Sequence, residues 1–238
     1  MNKNIIWIII ILIVLLAIIG YAVIAQNTKK GNDNKIENTT FTSNNSQNII
    51  VNNEVTENIE EQNKKEEEIN MYSTGIHHAT IEVKDYGTIK LELDADSAPI
   101  TVSNFAKLVN EGFYNGLTFH RVMDGFMIQG GDPEGTGFGG SSETIKGEFK
   151  ANGVTNNISH VRGVISMARA TGFNTASSQF FIVHKDSKYL DGQYAGFGKV
   201  LEGMEVVDKI CEDTPVVDDN GTVRKKDQPI IEKITMED

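Results

Sequence analysis

FHRVMDGFMIQGGD, residues 119–132, sets how the rest of the chain reads. Taken with a period of two, Phe119, Arg121 and Met123 point one way and His120 and Val122 the other. Asp124-Gly125 is a turn signal, and a second extended run follows from Phe126 to Gln129. Two short strands about this turn bring Arg121, Phe126, Met127 and Gln129 together. Arginine keeps its proton in proteins, so Arg121 is no base; it can only donate hydrogen bonds or stabilise charge. A fixed cation beside an apolar pocket suits polarising a neutral group without breaking a bond. The competing reading makes Arg121 a surface cation and Phe126, Met127 and Phe181 ordinary core. Gln129 and Gln179 speak against it, because each borders an extended apolar run and a buried amide needs a partner.

On either side of this stretch the pattern stays mainly β. Residues 79–94, ATIEVKDYGTIKLELD, alternate, break at Asp85-Tyr86-Gly87 and alternate again, which predicts a hairpin. Asp96-Ser97-Ala98-Pro99 opens a helix, with a cap candidate ahead of a first-turn proline. Val102, Phe105, Ala106, Val109 and Phe113 then recur at helical spacing up to Gly112. Residues 133–153 are glycine-rich and predict a long loop. Strands are expected over 163–170, 178–184, 195–201 and 229–235, and a second helix over 204–212, with Val206, Val207, Ile210 and Cys211 on its apolar side. Many short strands, two well-separated helices and no regular β–α alternation predict a closed or nearly closed antiparallel barrel.

The first 75 residues are of another kind. Residues 5–25 carry no charge, and at about 1.5 Å per residue the run matches a bilayer core of about 30 Å. The expectation is an uncleaved single-pass anchor at 1–25; the alternative is a cleaved signal segment and a secreted domain. Lys3 precedes the span and Lys29 and Lys30 follow it, so charge alone leaves orientation open. The commoner arrangement for such a chain puts the domain outside the cytoplasm. Residues 26–75 are rich in Asn, Glu, Lys, Ser and Thr, bury too little apolar surface to offset the ordering entropy, and read as a flexible linker. The folded domain is expected at 76–238.

Composition removes several functions. The 238 residues carry a net charge of −11, which argues against nucleic acid as a partner. Cys211 is the one cysteine, so neither an intrachain disulfide nor a cysteine-based zinc site is available. None of the five histidines forms an HExxH pattern. The glycines at 135–140 lack the preceding strand and following helix that a dinucleotide loop needs. No G-x-S-x-G elbow is present.

The motifs Phe119-His120-Arg121, Gly125-Phe126-Met127, Gln129-Gly130-Gly131-Asp132, Ser178-Gln179-Phe180-Phe181-Ile182, Leu190-Asp191-Gly192 and Phe197-Gly198-Lys199-Val200 agree with one family in order and spacing. From about residue 76 to 235 the chain resembles a cyclophilin-type peptidyl-prolyl cis-trans isomerase. The resemblance implies an eight-stranded antiparallel barrel with a helix capping each end. It makes Arg121 the catalytic side chain, with Phe126 and Gln129 beside it. Phe126, Met127, Phe181 and Leu190 correspond to the pocket for a proline ring. Ala168 and Arg169 match the segment whose backbone pairs with the bound peptide, and Gln179 lies beside it. Tyr194 stands where many members carry histidine, Tyr189 where some carry tryptophan, and Arg169 where an asparagine is common. Tyr194 keeps a hydrogen-bond donor, whereas Tyr189 weakens the case for cyclosporin-type inhibitors. The implied partners are proline-containing polypeptides, with the domain acting as a monomer and requiring neither metal nor cofactor.

Overall fold

The computed structural model describes residues 71–237. The anchor expected at 1–25 and all but the last residues of the linker expected at 26–75 lie outside them. Among the described residues no helix is long and apolar enough to cross a membrane. The packed structure begins before Ile76. Tyr72 is buried in the core, its carbonyl accepts from Ser103 Oγ at 3.1 Å, and the Gly75 amide donates to Asp96 Oδ1 at 2.8 Å.

Eight strands follow: β1 (Ile76–Val83), β2 (Gly87–Asp94), β3 (Thr118–Met123), β4 (Met127–Asp132), β5 (Val164–Met167), β6 (Phe180–Val183), β7 (Ala195–Glu202) and β8 (Ile231–Met236). They form one sheet in the order β3-β4-β6-β5-β7-β2-β1-β8, with every neighbouring pair antiparallel. The β1–β2 hairpin turns where alternation breaks, with Asp85 in the left-handed region (φ 64°) and the Tyr86 amide bonded to the Val83 carbonyl. The full closure expected of a barrel is reduced to a short seam between the edge strands. Thr118 and Ile230 form one bridge, flanked by Phe119 N–H to the Pro229 carbonyl at 2.9 Å and Ile231 N–H to the Leu117 carbonyl at 2.8 Å.

Two helices cover the curled sheet. Helix α1 (Pro99–Asn110) packs on β2, β7 and β8, and α2 (Met204–Asp213) on β2, β3 and β4. Val102, Phe105, Ala106 and Val109 of α1, and Val206, Val207 and Ile210 of α2, join the main core as their spacing predicts. Cys211 is only half-buried, and burial pushes its thiol pKa up to about 12, so it is no ready nucleophile. The expected N-terminal cap of α1 is different. Asp94, not Asp96, bonds Ser97, and the N-cap residue is Ala98, without a side-chain bond. Glu148, far along the chain, supplies the carboxylate: it accepts from Ile100 N–H at 3.0 Å and from Thr101 N–H at 2.8 Å. A buried anion at the positive end of α1 satisfies donors that Ala98 leaves open.

The alternation expected of β3 breaks at His120. The pairing of β3 with β4 shifts register between Phe119 and Arg121, which marks a bulge. Phe119 and Val122 therefore both enter the main core, while Arg121 and Met123 share the opposite side. The side-chain period of a strand is two, so one inserted residue exchanges the faces on either side of it.

Candidate active site

Strands β4, β6 and β5 carry a second apolar cluster on the face turned away from the main core. It consists of Met127, Val164, Phe181 and Val183, edged by Phe126, Leu190 and Tyr194. Above it opens a cleft of about 360 Å³. Strand β3 contributes Arg121 to its wall, β4 contributes Met127 and Gln129, and β6 contributes Phe181. Phe126 comes from the turn before β4, Leu190 from a 3-10 turn at Lys188–Leu190, and Tyr194 from the approach to β7. Ala168 and Arg169 follow β5. Two residues expected in the site stand outside this cleft. Gln179 lines an adjoining cavity of about 330 Å³ that shares Gln129, Ala168 and Arg169 with the first. Tyr189 is 71% exposed and lies against the back of Phe126, ring centroids 5.9 Å apart.

The guanidinium of Arg121 is held on several sides. Its Nε donates to the Asn220 carbonyl at 2.7 Å, and Nη2 to Asn220 Oδ1 at 3.0 Å and to Met123 Sδ at 3.1 Å. Nη1 donates to Gln129 Oε1 at 3.2 Å. An arginine has five N–H groups. Four are engaged, and one on Nη1 is left over among the described interactions. Burial lowers the Arg121 pKa against the opposing pull of Tyr194, Asp218 and Tyr189, but a guanidinium stays charged at any working pH.

The amides behind Arg121 can take only one orientation. Arg121 is donor-only, so Gln129 must present its oxygen. Gln129 Nε2 then donates to Gln179 Oε1 at 2.8 Å, and Gln179 Nε2 donates to the carbonyls of Gly139 (2.7 Å) and Gly137 (3.1 Å). With donors at one end and backbone acceptors at the other, neither amide can flip without losing its bonds.

Asn220 escaped the sequence reading. Residues 218–223 run along the outer edge of β3: Val122 N–H bonds the Gly221 carbonyl at 2.8 Å and Val223 N–H the His120 carbonyl at 3.0 Å. Gly221 permits this approach, because it has φ 79° and a Cβ there would strike the Val122 carbonyl and the Met123 side chain. The Asp-Asn-Gly turn signal at 219–221 was available, but its partner strand lies about a hundred positions earlier.

His120 also enters the cleft wall. It is 4% exposed, and neither ring nitrogen has a protein partner among the described residues. Burial lowers its pKa, with Asp132 opposing and Arg121 adding to the shift, so the ring is held neutral.

One arrangement looks like a nucleophilic triad. His160 Nδ1 lies 2.9 Å from Asp191 Oδ1, and Nε2 lies 2.9 Å from Ser166 Oγ. Ser166 and His160 are fully buried, and the His160 ring stacks on Phe181, centroids 6.1 Å apart. No substrate reaches that hydroxyl. The group instead braces Phe181 and anchors the 190–192 turn that carries Leu190.

Comparison with known proteins bears on the domain as a whole. A family model described as cyclophilin type peptidyl-prolyl cis-trans isomerase/CLD matches residues 78–236. The chain is 52% identical over 123 residues to peptidyl-prolyl cis-trans isomerase B of Bacillus subtilis, covering 52% of this chain and 82% of that one. It is 50% identical over 135 residues to a peptidyl-prolyl cis-trans isomerase of Helicobacter pylori, covering 56% and 79%. The fold is similar to the crystal structure of a Cryptosporidium parvum cyclophilin type isomerase, with a TM-score of 0.61, 34% identity, and 69% of this chain and 99% of that chain covered. A second structure of that protein, solved in the presence of the dipeptide Ala-Pro, matches with a TM-score of 0.59.

Proposed function

The chain belongs to the cyclophilin-type peptidyl-prolyl cis-trans isomerase family, and on that premise we propose how its cleft turns over an X-Pro bond and where it does so. The enzyme accelerates rotation about X-Pro peptide bonds. The barrier to that rotation is about 18–20 kcal/mol because resonance gives the C–N bond double-bond character. No proton has to leave. Rotation needs the twisted amide, in which the proline nitrogen regains its lone pair, to be favoured over the planar one.

The proline ring sits among Phe126, Met127, Phe181 and Leu190, an apolar seat that holds one side of the bond while the other turns. The Ala-Pro dipeptide used with the Cryptosporidium relative supports a proline ligand of this kind. The remaining Nη1 N–H of Arg121 bonds the pyramidal nitrogen, an interaction that the planar amide cannot make. Binding that strengthens only in the transition state is what raises turnover. Gln129, Gln179 and Asn220 fix the fork so that little reorganisation is needed at the moment of rotation. A 10⁵-fold acceleration needs a barrier lowered by ~7 kcal/mol, more than one charged hydrogen bond supplies, so orientation and exclusion of water contribute the rest.

The observation that carries this reading is the four-point clamp on Arg121 beside the apolar seat. Its test is isomerisation of an X-Pro peptide by the full chain. Arg121→Ala should lose about 10²–10³ of kcat/KM; equal rates for the two proteins would remove the arginine from the mechanism.

The apolar run at residues 5–25 and the polar stretch behind it support a membrane-tethered enzyme with its domain outside the cytoplasm, acting on exported proteins as they fold. Protease added to intact cells should then release the domain; a domain left untouched would place it inside. A binding module in which turnover is secondary is the other reading, and the intact Arg121 clamp argues against it.

A further inference from the structure

Arg169 has a setting that rotation about the X-Pro bond does not explain. Its guanidinium carbon lies 4.7 Å from the Tyr194 ring centroid, 5.1 Å from Phe149 and 5.3 Å from Phe173. Three aromatic faces hold it in one place, each attracting a cation. Nε donates to the Gln193 carbonyl at 3.0 Å, and Nη1 to the carbonyls of Ala170 (3.0 Å) and Thr171 (3.3 Å). That engages three of the five N–H groups. Both N–H groups of Nη2 are left over among the described interactions.

Arg169 also stands at a junction, lining both the proline cleft and the adjoining cavity. Among the described residues that line the two spaces, Arg121 and Arg169 are the only fixed charges, and there is no carboxylate. This positive strip belongs to a chain whose net charge is −11. Arg121 has one donor to spare and the twisting nitrogen to serve. Arg169 has two, both on Nη2, and either can give a carboxylate a charge-assisted hydrogen bond; the rings and carbonyls have already met most of the entropy cost of ordering it.

We propose that Arg169 is a specificity-determining residue: the cleft favours X-Pro bonds that carry an acidic side chain within two residues of the isomerising bond, and Nη2 of Arg169 receives that carboxylate. The proposal rests on the isomerase reading and deepens it. A peptide seated by its proline continues into the adjoining cavity, so a flanking Asp or Glu meets Arg169 at the shared wall. The same residue leaves the chemistry to Arg121, and its effect is a ranking of substrates.

The experiment compares paired peptides of equal length that differ only by Glu or Gln, placed in turn at each position within two residues of an Ala-Pro bond. Exchange between isomers is followed by NMR with the full chain. At one position at least, the Glu peptide should show about fivefold higher kcat/KM at low salt, the range of a partly desolvated ion pair, with the preference shrinking as salt screens the pair. Arg169→Gln should bring the ratio to one, while Arg169→Lys should keep part of it. The ratio is taken within one protein, so partial misfolding of a variant cancels. A wild-type ratio of one at every position, or a preference that survives in Arg169→Gln, overturns the proposal. Failure to accelerate any peptide would instead strike the isomerase reading.

Discussion

On one face of β4, β6 and β5, Ile128, Phe180, Ile182 and Ile165 pack into the main core; on the other, Met127, Phe181, Val183 and Val164 make the smaller cluster. The residues alternate along the same three strands, and both sets are apolar and shielded. What differs is the opposing layer. The inner set meets α1, α2 and the far side of the sheet. The outer set includes no helix residue and is edged by single side chains from loops and turns, Phe126, Leu190 and Tyr194. A hydrophobic face roofed by helices is closed and contributes stability. The same kind of face rimmed by loops leaves an open cleft with polar groups around it, the room that the proposed mechanism uses. One sheet thus separates stability from function by its two sides.

Substitutions can break or sharpen this separation. The largest effect is expected from Phe180→Ala on the inner face, where a fully buried ring meets Phe105, Tyr114 and Phe119. It should cost about 3–5 kcal/mol of unfolding free energy in urea, with turnover of the folded fraction little changed. An equal fall in turnover per folded molecule would mean that the faces are not separable. On the outer face, Phe126→Ala removes a half-buried ring from the proposed proline seat. Loss of about 1.4 kcal/mol of apolar contact would raise KM about tenfold and leave the urea midpoint nearly in place. An unaltered KM would show that the ring binds elsewhere.

Gln179→Ala probes the support behind the seat. It touches no proline, yet it frees the Gln129 amide and loosens the fork of Arg121. Loss of one net hydrogen bond predicts a kcat lower by about threefold to tenfold with KM unchanged, so Michaelis kinetics that moved KM alone would refute a role through orientation. The smallest effect concerns pH. Burial lowers the pKa of His120, and of His160 despite the pull of Asp191. Both bind protons more weakly folded than unfolded, so their contribution to stability is full above about pH 6.5 and declines as pH falls below it. Urea midpoints measured from pH 7.5 downward should fall. His120→Gln should flatten the slope, and an unchanged slope would remove His120 from the account.

Much of the fold was legible because its signals are local. The hairpin expected at 79–94, both amphipathic helices and the turn at Asp124-Gly125 are each set by residues a few positions apart, and the structure places them within two or three residues of expectation. Strands β5 and β6 came out shorter than their apolar runs. A strand ends where its neighbour stops pairing, and β5 and β6 pair only from Ile165 to Met167. In the site, nine of the eleven expected residues line the cleft. Gln179 acts one step back from it, and Tyr189 supports Phe126 from outside.

The amino-acid sequence by itself determined an antiparallel β protein with two helices, an arginine that can donate but never titrate, and apolar residues close beside it. Periodicity, turn chemistry and side-chain type suffice for that, since each acts over a few residues. Tertiary structure alone decided the bulge at His120 that turns Phe119 away from Arg121, the Glu148 cap on a helix 47 and 48 residues upstream, the Asn220 clamp 99 residues from Arg121, and the three rings around Arg169. Each depends on a partner that the rest of the fold brings near. A guanidinium has five donors wherever it stands; which remain free for substrate is settled only by the neighbours that occupy the others.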